Sequence, residues 1–147
     1  MTSLSYPFVR FQYPDGTVDR RPYTRLPIKV TNPGNGQSVV AWGLVDTGAD
    51  ATLLPASLAI SVGHSLKADG VKKNITSGIE NTSVTAYGHT FILELLAPDI
   101  KTVVWKSPAM NIDCVETEPP MLLGVEDFLR HFTLTIDYPS QTMRLSW

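Results

Sequence analysis

Cysteine is almost absent: Cys114 stands alone in 147 residues, so no internal disulfide framework can staple the fold. Its expected role is that of a small, semi-buried apolar side chain. Long apolar runs are missing too. None approaches the roughly 20 residues that a membrane helix needs. The start, Met1-Thr2-Ser3-Leu4-Ser5-Tyr6-Pro7, lacks the basic-then-apolar pattern of a secretion signal. A cytoplasmic protein, or a soluble domain of something longer, is the expectation. Without such a signal the triplets Asn74-Ile75-Thr76 and Asn81-Thr82-Ser83 carry no weight as glycosylation sites. There is no excess of positive charge: the formal net charge is −2, which gives no field for nucleic acid. Clustered metal ligands are also scarce. Glu116 and Glu118 have a spacing that suits a cation, but two loop carboxylates are ordinarily just solvated. Neither internal repeats nor low-complexity tracts occur. What remains is a core built by burial alone, for which 147 residues at 43% hydrophobic content suffice.

One triplet, Asp-Thr-Gly, occurs a single time, and the chain is organised around it. An apolar run from Val39 to Val45, with Trp42 inside it, stops at Asp46, and apolar character resumes at Leu53. β-Branched and aromatic residues make the run a strand. Between lie Asp46, Thr47, Gly48, Ala49 and Asp50: two carboxylates, a small hydroxyl, and a glycine that permits a tight turn. Read by itself, this is either an ordinary turn with an Asx-type hydrogen bond at Asp46 or a strand that presents an acid at its end.

Before it, Phe8–Tyr13 reads as a strand, Pro14-Asp15-Gly16 as a turn, and Thr17 onward as the returning arm of a hairpin. Arg20-Arg21-Pro22-Tyr23 reads as a solvated basic loop. Leu26–Thr31 alternates as a half-buried strand does. The turn residues Asn32 to Gly36 then make a hairpin that delivers the Asp46 loop. Pro55–Gly63 predicts a short helix, proline-started and glycine-ended, with His64 at its end. Val71–Leu96 predicts a hairpin with a polar tip near Ser77–Asn81, and His89 takes a structural place on its second strand. Thr102–Lys106 and Ala109–Ile112 are further strands. Met121-Leu122-Leu123-Gly124 is an apolar run closed by glycine, and a helix is predicted after it over Val125–His131. Glu126 and Asp127 in its first turn, with Arg130 and His131 in its last, suit the helix dipole. Phe132–Trp147 alternates in both arms about Tyr138-Pro139-Ser140-Gln141. A hairpin this apolar needs cover from its own core or from a second subunit.

The stretch Val45-Asp46-Thr47-Gly48-Ala49-Asp50, with Thr52-Leu53-Leu54 after it and Leu122-Leu123-Gly124 much later, resembles the retropepsin-like (retroviral-type) aspartic proteases. The resemblance covers residues 26–147 and leaves 1–25 as an N-terminal extension of one domain. It implies an all-β, closed-barrel acid protease fold with short helices and one lobe per chain. It also implies an aspartic endopeptidase, in which paired Asp46 residues of a homodimer activate a water against an extended peptide. Thr47 would lock the two loops together. Gly48, Ala49 and Asp50 would hold substrate backbone. The tip Ser77-Gly78-Ile79 takes the place of the flap, and Pro120 and Leu122 would wall a side-chain pocket. No metal, cofactor or covalent intermediate is implied. Where family members often have a basic residue pairing with the acid at Asp50, this chain has Val125, which leaves Arg130 as the substitute. A different class of function is a retropepsin-like module that grips peptides or assembles partners without cleaving; an intact Asp46-Thr47-Gly48 speaks against it. An unrelated small β-barrel, with Asp46 capping a turn, is the third possibility.

Overall fold

The computed structural model describes residues 1–77, 83–117 and 119–147. The first strand is β1 (Ser3–Pro7), and β2 (Arg25–Thr31) and β3 (Ser38–Val45) form a hairpin, with Arg25 opposite Leu44 and Thr31 opposite Ser38. After the Asp46 loop come β4 (Leu53–Pro55) and α1 (Ala56–Ser61), which Pro55 precedes. Next are β5 (Lys72–Ser77), the 14-residue β6 (Ser83–Leu96), β7 (Val103–Lys106) and β8 (Met110–Val115). The last are β9 (Leu122–Leu123), β10 (Thr133–Asp137) and β11 (Thr142–Ser146).

The larger sheet runs β2-β3-β9-β4-β8-β6-β5, and β2 also pairs with β6, so the path returns on itself as a closed barrel. Strand β6 is long enough to serve both ends. Its first half joins β5 and β8, and its second half joins β2 and β7. Alternation decides what fills the barrel. Leu26, Ile28, Leu54, Phe91, Leu93, Leu95, Ile112 and Leu123 are all buried, and α1 adds Ala56 and Ala59 to this core. Cys114 is buried among them, and burial pushes its thiol up to about 12, as an inert packing residue should be.

The smaller sheet has the order β1-β11-β10. Leu134 lies opposite Leu145 and Ile136 opposite Met143, so the apolar side chains of both arms share one face. Tyr6 and Leu4 of β1 extend it. Met143, Leu145 and Tyr6 are buried within this one chain. The cover that the hairpin requires therefore comes from its own core, and β1 supplies the edge. The opposite face carries Ser3, Ser5, Thr133, Thr135, Asp137 and Arg144, all exposed.

Two expected elements differ. Phe8–Tyr13 is not a strand: between β1 and β2 the pairing reduces to the bridges Val9–Tyr23 and Gln12–Val18. The cause is Asp19. It is buried beside Arg25, at 2.6 Å from its guanidinium, and also accepts from the Phe11 amide and the Tyr13 hydroxyl, each at 2.8 Å. The segment wraps a buried charge instead of forming a ladder. The helix expected over Val125–His131 is a turn ending in a 3-10 helix at Leu129–His131. The N–H groups of Val125 and Glu126, which a helix starting there would leave without an acceptor of its own, donate to the carbonyls of Ala49 and Asp50 at 2.9 and 2.8 Å. The following bonds, Leu129 to Gly124 and Arg130 to Val125, each span five residues and do not continue as an α-helix.

Candidate active site

Strand β3 brings Asp46 to the surface, and three neighbours fix its exit. The Val45 N–H donates to the Thr24 carbonyl at 2.9 Å, and the Leu44 N–H to the Met121 carbonyl at 2.8 Å. The Asp46 N–H donates to the Leu123 carbonyl at 3.2 Å. Strand β9 lies between β3 and β4, parallel to the first and antiparallel to the second. The Leu122–Gly124 segment thus passes directly beneath the Asp46 turn, two stretches about 75 residues apart that the larger sheet joins at one point.

Within the turn, the Gly48 N–H donates to Asp46 Oδ1 at 3.0 Å, and the Ala49 N–H to the Asp46 carbonyl at 3.2 Å. The Asx-type bond is therefore present. It engages one carboxylate oxygen and orients the group, leaving the half-buried Asp46 facing outward. Thr47, Gly48 and Asp50 are exposed and Ala49 is half-buried.

The underside of the turn is a polar cross-link. Thr52, only 1% exposed, donates its hydroxyl to Asp127 Oδ1 at 2.6 Å. Its N–H donates to the Asp127 carboxylate at 2.9 and 3.1 Å. The Gly124 N–H in turn donates to Thr52 Oγ1 at 3.1 Å. A side chain at Gly124 would overlap the Ala51 carbonyl carbon and lie 2.6 Å from the Thr52 nitrogen, so only glycine fits this close backbone passage. Sequence reasoning placed Gly124 correctly but missed Asp127, which it assigned to a helix dipole.

The remaining expected site residues are scattered in status. Leu122 is half-buried and in register with Leu44 and Leu53, beside the turn. Pro120 is exposed on the approach to β9. Ser77 ends β5 opposite Ser83, which sets the base of the β5–β6 hairpin; Gly78 and Ile79 lie outside the described residues. Arg130 does not replace the missing partner of Asp50: the ion pairs among the described residues are Arg25–Asp19 and Lys67–Glu116. Glu116 is thus paired with a lysine, and Glu118 lies outside the described residues. Among the described residues no group of His, Cys, Asp or Glu side chains could hold a metal ion. No helix there is long and apolar enough to cross a membrane.

The rings of His64 and His89 lie 4.7 Å apart and tilted by 39°, their Nε2 atoms bonded to the carbonyls of Thr90 and Leu66 at 2.9 and 3.0 Å. His89 is buried in β6, the structural place expected of it, and half-buried His64 lies just beyond α1.

The chain superposes on the crystal structure of a retropepsin-like aspartic protease from Rickettsia conorii over 99% of each chain, with a TM-score of 0.58 and 17% identity. The fold is retropepsin-like. The match includes the N-terminal residues that the motifs leave unassigned, in keeping with the place of β1 in the smaller sheet. The chain is also similar to EIAV protease complexed with the inhibitor HBY-793, over 74% of this chain and 86% of that one, with a TM-score of 0.49 and 13% identity. No protein-family model matches the sequence, and no curated protein matches it. At such identities the likeness speaks for the fold, and the chemistry rests on this chain's own residues.

Proposed function

We propose that the protein is an aspartic endopeptidase, acting as a homodimer in which each subunit contributes one Asp46. The observation that carries this reading is the outward-facing Asp46 carboxylate, at the end of a rigid strand in a retropepsin-like fold. Its Oδ1 is oriented by the Gly48 amide and its loop is tied down by the Thr52–Asp127 cross-link. Rigid support of this kind is what a reacting group needs.

One chain carries one such motif, so a complete site takes two chains. Two-fold symmetry would set the same residue on both sides of the axis. Two carboxylates in contact cannot both ionise, so the pair would share one proton. The ionised member would take a proton from a trapped water, while the protonated member polarised the scissile carbonyl. Thr47, exposed beside Asp46, would meet its counterpart across the axis. Gly48, Ala49 and Asp50 would face the backbone of an extended peptide, with Pro120 and Leu122 at its side chains. The β5–β6 hairpin, through Ser77, Gly78 and Ile79, would close over the peptide, which would bind by strand addition.

Purified Asp46→Asn and Asp46→Ala variants test the reading against a pool of peptides. Both should keep the fold by circular dichroism and lose hydrolysis. The wild-type profile should be bell-shaped, favouring acidic to near-neutral pH, and indifferent to chelators and to thiol or serine reagents. A folded Asp46→Ala protein that still cleaves would overturn the assignment. A wild type that binds peptides without cutting them would support a binding module instead.

A further inference from the structure

Strand register divides the larger sheet into two faces, and one residue on the open face is out of keeping with its row. Across adjacent strands, Val45 pairs with Leu123, Leu54 with Cys114, and Cys114 with Tyr87. All of these are buried, at 8% exposure or less, and they face the core. The next row alternates to the other side. It runs Leu44, Leu122, Leu53, Asp113, Gly88 and Lys72, each in register with the one before. Leu44, Leu122, Leu53 and Asp113 are half-buried. Asp46 follows Leu44 by two residues, just past the end of β3, so this row begins beside the candidate catalytic acid. Three leucines line it, and then a carboxylate interrupts.

The carboxylate is held in place. Asn74 of β5 reaches across β6 and donates its amide to Asp113 Oδ1 at 2.9 Å. Gly88 stands between Lys72 and Asp113 in the row, and a Cβ there would strike the Asn111 amide. Oδ2 of Asp113 has no hydrogen-bond partner among the described residues, and Asp113 belongs to neither of the ion pairs found there. Lys72, next in the row, is exposed and unpaired among them as well.

We propose that Asp113 is a specificity-determining residue that selects a basic side chain, Lys or Arg, in the peptide lying on this face. The inference rests on the reading of that face as the substrate cleft. A half-buried carboxylate, with one oxygen anchored and the other without a hydrogen-bond partner among the described residues, stands at the end of an apolar row and matches a side chain with an apolar stem and a cationic end. Asp113 lies three strands from Leu44, about 14 Å at roughly 4.8 Å per strand. At about 3.3 Å per residue, an extended peptide covers that distance in roughly four residues, so the selected side chain stands a few positions from the scissile bond. In a two-fold cleft Asp113 occurs twice, so the preference would extend to both sides of that bond.

The test uses otherwise identical extended peptides carrying arginine, its neutral isostere citrulline, or leucine at each position in turn. Cleavage is measured on the full chain, and binding on the Asp46→Asn protein. The arginine peptide should exceed the citrulline peptide in kcat/KM by about tenfold, the effect of one charge-assisted pair. Asp113→Asn, which keeps an acceptor for Asn74, should erase that ratio, and Asp113→Leu should favour leucine. Thermal melts establish that both variants are folded, and added salt should narrow the wild-type ratio. Asp46-dependent cleavage that ignores arginine versus citrulline at every position would overturn the assignment of Asp113 and leave the peptidase reading intact. If no peptide is cleaved, the peptidase reading fails, and the binding arm still decides the inference. An arginine preference abolished by Asp113→Asn supports it; equal binding of all three peptides overturns it.

Discussion

Asp127 Oδ1 accepts the hydroxyl hydrogen of Thr52 at 2.6 Å, across 75 residues of sequence. The Thr52 oxygen then accepts the Gly124 N–H, so the Asp46 turn and the strand beneath it are held by one short polar chain. Because Thr52 is buried, breaking this chain strands a donor or an acceptor away from water. Asp127→Ala and Thr52→Val should each cost about 1–3 kcal/mol, read as a lowered urea midpoint. Gly124→Ala should cost at least as much, since a Cβ there overlaps backbone. All three should reduce kcat more than they raise KM, because they loosen the support of Asp46 and leave the peptide-facing residues in place. An Asp127→Ala protein of unchanged stability would remove the cross-link from the account.

The Asp46 loop is legible in the sequence because a polar break in an apolar strand is a local signal, whereas Gly124 is legible only through the family resemblance of Leu122-Leu123-Gly124. Asp127 is not, since its partner lies 75 residues away, and an acid early in a sequence of helical composition looks sufficient as a dipole partner. The failure at Phe8–Tyr13 has the same origin. Alternation there suggests a strand, but Asp19 and Arg25 form a buried pair that claims the Phe11 amide. Asp113 escapes notice for a third reason. Nothing around it in sequence is unusual, and only the register across four strands places it in the row that starts beside Asp46.

Charge placed on the C-terminal hairpin should act on folding, and where it lands decides the outcome. Leu145 and Met143 are completely buried within one chain. Leu145→Glu should therefore unfold or precipitate the protein, because an unpaired buried charge costs several kcal/mol. Thr135→Glu, on the exposed face of the same sheet, should leave the melting temperature within a few degrees of wild type. A soluble, folded Leu145→Glu protein would contradict the burial of that face by the chain's own core.

Acid should weaken the fold through His64. Burial lowers its pKa below the ordinary 6.5, with His89 acting in the same direction and the Thr90 carbonyl opposing them. The unfolded chain takes up a proton near pH 6.5, whereas the folded chain does so only at lower pH. Between those values the unfolded state binds more protons, so stability falls as pH falls. It is fully present above about pH 6.5. Urea unfolding at pH 7.5 and at pH 5 should show the loss, and His64→Phe should lessen it. An equal loss in the His64→Phe variant would assign the effect to other groups.

Mixing subunits tests the two-chain site most directly. A fixed amount of wild type is assayed alone and again with an equal amount of folded Asp46→Asn protein, after dilution has allowed subunits to exchange. If two Asp46 residues build one site, mixed dimers are inactive, and random pairing lowers the activity to about half. Activity that stays at its original level, from a species shown by sedimentation to have exchanged subunits or to be a monomer, would contradict the account.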